Sequence, residues 1–328
     1  MLLEVARDRR ILFIGGKGGT GKTSTASALA LARAREGARV LLASTDPAHS
    51  LGHIWDQDLG DEPTPVATFD TGQVRAVEID PQRTVDRHFA RVEATMLRML
   101  PERQHAAARR HLELAKSAPG SFESAILERI AELAGGSDAA AREDTDLLIF
   151  DTAPTGHTLH LLALPQRLTS WTESLLANRD RSERFAAAAR GLTSSMEHPS
   201  SADAQLRRTL LARRDRFARL REAILDPGAT GFVVVALAEK LPAAESLELA
   251  GQLEQLGIGI SAFVVNRRSP AGHGDFLAQR RAQEEPYVQQ LRRRAEQLGA
   301  VPLLQVPLLP GNVSGPDGLA ALADQLSS

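Results

Sequence analysis

Short apolar runs, rich in β-branched and aliphatic residues, recur along this chain and are bounded by polar residues or glycine. They begin near residues 11, 39, 74, 147, 232, 261 and 303 and read ILFIG, RVLLAS, VRAVEI, LLIFD, FVVVAL, SAFVVN and LLQVPL. Segments of helical pattern separate most of them. Continuously apolar strands that alternate with helices are typical of a parallel sheet covered on both faces. We therefore predict an α/β fold with a doubly wound, mostly parallel sheet.

Two long segments, roughly residues 83–134 and 166–225, interrupt this alternation. Both are rich in Ala, Leu, Arg and Glu and contain few strand formers, which predicts helices. Each follows a strand, and the next strand begins only after it. We therefore predict one domain over residues 1–328, with an inserted all-helical subdomain built from both segments. The small, polar stretch at 193–205 predicts a loop between helices.

The amino-acid composition excludes several classes of function. The chain has 328 residues, a formal net charge of -2 and no cysteine. Interspersed charges give no reason to expect nucleic acid as a partner. The lack of cysteine excludes disulfides, thiolate zinc sites, iron–sulfur clusters and cysteine ligands for arsenic or antimony. The N-terminus does not read as a signal peptide, and no apolar run approaches the roughly 20 residues that span a bilayer. We expect a cytoplasmic protein.

A glycine-rich loop lies between the first predicted strand and an alanine-rich helix. Residues 16–23 fit the pattern G-x-x-x-x-G-K-T. In this pattern backbone N–H groups turn towards phosphate oxygens, and the helix N-terminus favours negative charge. Lys22 is expected to reach the β- and γ-phosphates of ATP, and Thr23 to bind Mg²⁺. The predicted phosphate-binding residues are Gly16, Lys17, Gly18, Gly19, Thr20, Gly21, Lys22 and Thr23.

Two aspartates follow predicted strands. Asp46 stands at a strand end in STDPAHSL, where its carboxylate could hold a water in line with the γ-phosphate or contact the magnesium shell. Taken alone, it also fits a helix N-cap or a turn. Asp151 closes the apolar run LLIFD, as a Walker B carboxylate does when it holds magnesium. Gly156, shortly after it, provides a pivot for a loop that senses the γ-phosphate.

These stretches carry a family resemblance. The loop from Lys17 to Thr23, KGGTGKT, resembles that of the deviant Walker A ATPases. TDPAHSL and DTAPTGHTLHLLALP resemble, more specifically, the arsenical pump-driving (ArsA) ATPases and the ATPases that target tail-anchored membrane proteins. The resemblance covers most of the chain, and further matching segments are APGSFE, the pair Glu245–Ser246, VVNRR and VPLLPGNVSG.

The resemblance implies roles for individual residues. Lys17 would reach across a homodimer to the phosphates bound by the other subunit, so Lys17, Lys22 and Asp46 form the implied catalytic set. Asp46 would orient the attacking water, and Asp151 would support magnesium. The remaining implied residues are Ser24 at the α-phosphate, Asn266 on adenine, Pro307 and Leu308 in the base pocket, and Thr45, Pro47, His49, Thr152, Gly156 and His157 in the switch segments. An ordinary turn role for Asn266 stays open.

The inserted helices are where the resemblance implies a groove for a transmembrane helix. Its candidate lining residues are Phe89, Met96, Met99, Leu100, Trp171 and Leu175. Methionines suit an adaptable binding surface. An apolar stripe at helical spacing is more often a subdomain core than a client groove, and this alternative stays open.

Three functions are compatible with these patterns. The first is a homodimeric ATPase that binds a hydrophobic membrane-protein client. The second is the ATPase subunit of an arsenite or anion efflux system, working with a membrane pump subunit. The third is a nucleotide-switched regulator. The basic, amphipathic stretch at 207–222 favours a solvated helix face, and peripheral contact with a membrane stays open.

Overall fold

The computed structural model describes residues 2–46, 50–99, 102–116, 121–135, 144–152 and 201–327. The described residues of 1–84, 138–160 and 223–328 form one compact unit, and those of 85–137 and 161–222 form a second. A single domain with one inserted helical subdomain stays a prediction.

The first unit contains an eight-stranded sheet in the order β3-β4-β2-β5-β1-β6-β7-β8. The strands are β1 Ile11–Gly15, β2 Arg39–Ser44, β3 Thr64–Thr68, β4 Gln73–Glu78, β5 Leu147–Asp151, β6 Thr230–Leu237, β7 Ile260–Arg268 and β8 Leu303–Pro307. All neighbouring strands are parallel except β3, which pairs antiparallel with β4 at the edge. The predicted α/β fold with a mostly parallel sheet is confirmed.

Helices occupy the connections between the strands except that between β3 and β4, and one helix lies before β1 and another after β8. They are α1 Leu2–Arg7, α2 Lys22–Arg35, α3 Ser50–Trp55, α4 Pro81–Met99, α5 Glu102–Lys116, α6 Ser121–Gly135, α7 Ser201–Leu225, α8 Lys240–Gln255, α9 Asp275–Gln297 and α10 Gly315–Ser327. The alanines of α2 allow close packing against the sheet and α10, and Ala26, Ala28 and Leu29 are fully buried.

The described parts of the two long interrupting segments are helical. Helices α4 to α6 cover most of the first segment, and α7 covers the end of the second. The predicted loop at 193–205 was wrong for residues 201–205, because α7 already begins at Ser201; residues 193–200 lie outside the described part. Among the residues that the structure describes, no helix is both long and apolar enough to cross a membrane.

Stacked aromatic rings hold the three central strands together. The Phe13 ring on β1 lies 5.0 Å from that of Phe150 on β5 and 6.3 Å from that of Phe232 on β6, measured between centroids. The register pairs Asp151 with Ile14 on one side and with Ser44 on the other. The carboxyl ends of β1, β2 and β5 therefore end side by side at one edge of the sheet.

Candidate functional site

The glycine-rich loop leaves the end of β1 and continues into the first turn of α2. At Gly16 a Cβ atom would lie 2.2 Å from the carbonyl oxygen of Val235. At Gly21 the backbone adopts φ +90°, and a Cβ atom would lie 2.2 Å from Nδ2 of Asn266. Only glycine fits at these two places, since close backbone approach and left-handed φ both exclude a side chain.

The ammonium of Lys22 points back into its own loop. Lys22 is buried, and its Nζ donates a hydrogen bond to the carbonyl oxygen of Lys17 at 3.2 Å. The hydroxyl of Thr20 donates to the same carbonyl at 2.9 Å. Burial lowers the pKa of Lys22, while the carboxylates of Asp151 and Asp46 partly offset this effect. The ammonium has further hydrogens to donate, so it is placed to bind an anion held by the loop.

The second lysine of the loop points elsewhere. Nζ of Lys17 donates to Oε1 of Glu245 on α8 at 2.7 Å. The two side chains are 33% and 31% exposed. A partly exposed ion pair of this kind stabilises by about 1 kcal/mol or less and exchanges readily. Lys17 is thus bound within its own chain, and its reach to a second subunit stays a prediction.

Asp151, at the end of β5, is fully buried. Burial raises its pKa from 3.8 to about 7; the Thr23 hydroxyl and the Lys22 ammonium oppose the rise, and Asp46 adds to it. The hydroxyls of Thr23 and Ser44 lie close enough to the carboxylate to lower its pKa, but among the described residues neither makes a well-aligned hydrogen bond to it. A desolvated carboxylate beside the Thr23 hydroxyl is the kind of hard oxygen donor set that suits Mg²⁺. Thr23 and Asp151 therefore fit a magnesium site.

Asp46 follows β2, the strand next to β5. It is half-buried, and its backbone N–H donates to the hydroxyl of Ser44 at 3.2 Å. The backbone N–H of Thr45 donates to the carbonyl of Asp151 at 2.9 Å. Both the backbone N–H and the hydroxyl of Thr152 donate to the carbonyl of Ile14, at 3.1 and 2.8 Å. These contacts hold Asp46 and Asp151 at adjacent strand ends, beside the loop.

A cavity of about 300 Å³ adjoins the loop at the ends of β7 and β8. Its lining brings together four residues of the predicted nucleotide site, Ser24, Asn266, Pro307 and Leu308. Nδ2 of Asn266 donates to the carbonyl of Thr20 in the phosphate loop at 2.9 Å. One amide thus contacts the loop and lines the cavity, although its hydrogen bond to adenine stays a prediction.

Several predicted residues fall outside this description. Pro47, His49, Gly156, His157, Leu100, Trp171 and Leu175 lie outside the described residues. Phe89 is half-buried on α4, and Met96 and Met99 lie on the same helix. The client groove therefore stays a prediction.

The structure adds residues that the sequence patterns did not select. The hydroxyls of Ser50 and Thr23 lie 3.1 Å apart, which places the start of α3 against the predicted magnesium ligand. Oε1 of the buried Glu78 accepts the backbone N–H groups of Leu51 and Gly52, at 2.8 and 3.1 Å. A carboxylate at the end of a mostly buried strand, the signal that identified Asp151, would have identified Glu78 as well.

Comparison with known proteins covers almost the whole chain. The model of the ArsA family, described as anion-transporting ATPase, matches residues 9–328. ATPase ASNA1 homolog 1 of Paramecium tetraurelia is 32% identical over 318 residues, which are 96% of this chain and 91% of that protein. ATPase GET3 of Malassezia globosa is 30% identical over 319 residues, 96% of this chain and 90% of that protein. The arsenical pump-driving ATPase of Escherichia coli is 32% identical over 316 residues, 96% of this chain and 49% of that protein.

Proposed function

Since the chain belongs to the ArsA family of anion-transporting ATPases and is an ATP hydrolase, we propose that hydrolysis opens and closes a homodimer. Opening and closing are coupled to the binding of a hydrophobic membrane-protein client in the cytoplasm. Relatives in this family carry the names of both GET3-type and arsenical pump-driving ATPases, so the family alone does not distinguish client targeting from efflux.

The hydrolytic part of the proposal rests on three adjacent strand ends. Lys22 and the loop amides bind the phosphates, and Asn266 with the neighbouring cavity takes the adenine. Asp46, beside the loop, orients the attacking water. Thr23 and Asp151 would hold magnesium, which supplies positive charge that stabilises the phosphate oxygens.

The dimeric part of the proposal rests on Lys17. Lys22 already occupies the place where a loop lysine serves its own nucleotide, and Lys17 is directed away from it towards Glu245. Because that ion pair is partly exposed, the ammonium can leave it at small cost when a second subunit presents phosphates. A lysine that crosses the interface in this way acts like an arginine finger and links hydrolysis to closure.

The observation that carries the client assignment is apolar exposure on the inserted helices. Leu114 on α5 is 70% exposed, and Phe122 on α6 is 41% exposed. Large apolar side chains in water favour a binding partner when they belong to a continuous patch. We infer that Leu114 and Phe122, which belong to the same compact unit as Phe89, form part of the expected groove, and that a transmembrane helix of the client covers it.

Co-expression with a tail-anchored transmembrane helix tests this function. We expect the helix to copurify with the protein in soluble form, and the yield of complex to depend on ATP. Leu114→Asp should reduce the yield several-fold, because a charge in the groove opposes burial of an apolar helix. Phe276→Asp is the matched control, since Phe276 is 74% exposed but lies on α9 in the other compact unit.

The same preparation separates the alternatives. If the helix aggregates with or without ATP and arsenite accelerates hydrolysis, the client assignment is wrong and the efflux function holds. That second function is supported by the anion-transporting description of the family and by the similarity to the arsenical pump-driving ATPase. Stimulation by neither helix nor arsenite would indicate a nucleotide-switched regulator.

A further inference from the structure

Arg268, the last residue of β7, is a guanidinium in the protein interior. Its side chain is 2% exposed. A buried arginine is tolerated only when its donors are paired, because desolvation of an unpaired charge is very costly. Its contacts therefore show what the arginine holds in place.

The guanidinium connects the end of β7 with α9 and β8. Its acceptors are the carboxylates of Glu284 and Glu285, the carbonyl of Arg281 at 2.9 Å and Oε1 of Gln305 at 3.1 Å. Glu284 is also buried, and it accepts the hydroxyl of Ser269 at 2.6 Å and the backbone N–H of the same residue at 3.1 Å. Arg268 and Glu284 together fix both the last residue of the strand and the residue after it.

The strand is irregular immediately before this anchor. The pairing of β7 with β8 shifts register between Val265 and Arg268, and Arg267 adopts φ +52°. A left-handed backbone at a residue other than glycine is strained, and it persists only where the surroundings impose it. Regular pairing resumes at Arg268, whose carbonyl accepts the backbone N–H of Leu308 at 2.8 Å.

The irregularity sets the position of Asn266. This residue is buried, its Oδ1 accepts the backbone N–H of Arg267 at 2.9 Å, and its Nδ2 donates to the carbonyl of Thr20. Asn266, Arg267 and Leu308 all line the 300 Å³ cavity beside the phosphate loop. A bulge often re-aims a side chain at a binding site in this manner.

We propose that Arg268 is a positioning residue for recognition of the nucleotide base. With Glu284, it holds the bulge so that the amide of Asn266 contacts the phosphate loop and lines the base cavity at the same time. The inference deepens the proposed function, because it rests on that cavity being the site of a purine base. Arg268 itself lies behind the cavity wall and acts through Asn266.

The test separates the base from the phosphates. ADP and inorganic pyrophosphate, each with magnesium, are titrated into wild type and Arg268→Met by calorimetry. We expect the variant to bind ADP about tenfold more weakly or worse, and pyrophosphate within about twofold of wild type, because only the base contact depends on the anchor. Arg294→Met is the matched control. Arg294 lies on α9, pairs with Glu254 at 2.7 Å and is not among the residues that line the cavity. It should bind both ligands as wild type does.

A milder variant keeps the test decisive if Arg268→Met folds poorly. Glu284→Gln retains the size of the side chain and one acceptor oxygen, but it loses the negative charge and the second acceptor, so it should lose ADP affinity in the same selective way, by a smaller factor. Equal losses for ADP and pyrophosphate, or no loss for either in both variants, would overturn the positioning role. A wild-type protein that binds ADP no better than pyrophosphate would instead refute the base site itself.

Discussion

At the scale of single residues, the burial of Asp151 makes stability depend on pH in an unusual direction. Its pKa is raised from 3.8 to about 7, so the folded protein holds a proton that the unfolded chain releases at lower pH. Between these values the folded state binds more protons than the unfolded state, and stability falls as the pH rises.

We predict that Asp151→Asn stabilises the metal-free protein at high pH. The gain should be small near pH 4 and grow through neutrality towards a limit of about 4 kcal/mol, since each pKa unit corresponds to about 1.4 kcal/mol. Urea midpoints at about pH 5 and about pH 8 measure it. Asp70→Asn, at an exposed turn, is the control. An equal gain at both pH values would contradict the assignment.

Local sequence patterns identified the functional residues that belong to a recognisable motif. Lys22 and Thr23 belong to a phosphate-loop motif, and Asp151 closes an apolar strand. The partners of these residues could not be predicted in the same way. Glu245 meets Lys17 from a helix 228 positions further along the chain, and such a pairing leaves no mark on local composition. An arginine at the end of β7 is expected in water, so the burial of Arg268 also required the structure.

At the scale of elements, apolar runs predicted the strands whose faces are covered. All seven runs coincide with strands, from β1 to β8. The missed strand, β3, reads TPVAT; its side chains are half-buried or exposed and it contains Pro65. Such residues are typical of a sheet edge, where one side of the strand faces water, and their pattern resembles that of a loop.

The short helix α3 depends on a carboxylate from another element. Glu78 accepts two backbone N–H groups at its N-terminus, and Trp55 at its other end donates through Nε1 to the hydroxyl of Ser27 at 3.1 Å. We predict that Glu78→Gln lowers the free energy of unfolding by about 1 kcal/mol, because the negative charge opposite the helix N-terminus is lost.

The effect should extend to metal binding. Ser50 begins α3 and contacts the Thr23 hydroxyl, so a loosened α3 weakens the magnesium-dependent part of nucleotide affinity. Denaturation midpoints and ADP titrations with and without magnesium measure both effects. Glu62→Gln, an exposed change of the same type on the neighbouring segment, should alter neither. Identical behaviour of the two variants would show that the carboxylate has no such role.

At the scale of the whole molecule, the proposed exchange of Lys17 between subunits predicts complementation. Lys17→Ala alone should lower hydrolysis by about 10³, as loss of a finger-type charge does. Asp46→Asn alone should bind ATP without hydrolysing it. In a mixed dimer, the site with intact Asp46 receives Lys17 from the Asp46→Asn subunit.

An equimolar mixture of the two variants should therefore recover about a quarter of wild-type activity, since half of the dimers are mixed and each contains one complete site. Steady-state hydrolysis after mixing measures the recovery. As a control, the Lys17→Ala, Asp46→Asn double variant is mixed with wild type. This mixture should be no more active than the wild-type protein that it contains. A mixture no faster than its separate components would exclude a lysine shared between subunits.

The contact between Gly21 and Asn266 also restricts the routes by which this sequence can evolve. A side chain at position 21 would occupy the space of the Asn266 amide and would adopt a backbone conformation that disfavours it. Mutation at 266 to a smaller residue leaves Gly21 unaffected, whereas mutation at 21 displaces Asn266 at once. A smaller residue at 266 would remove the steric conflict but not the backbone strain, so a side chain at position 21 carries two separate costs and a change at position 266 carries neither.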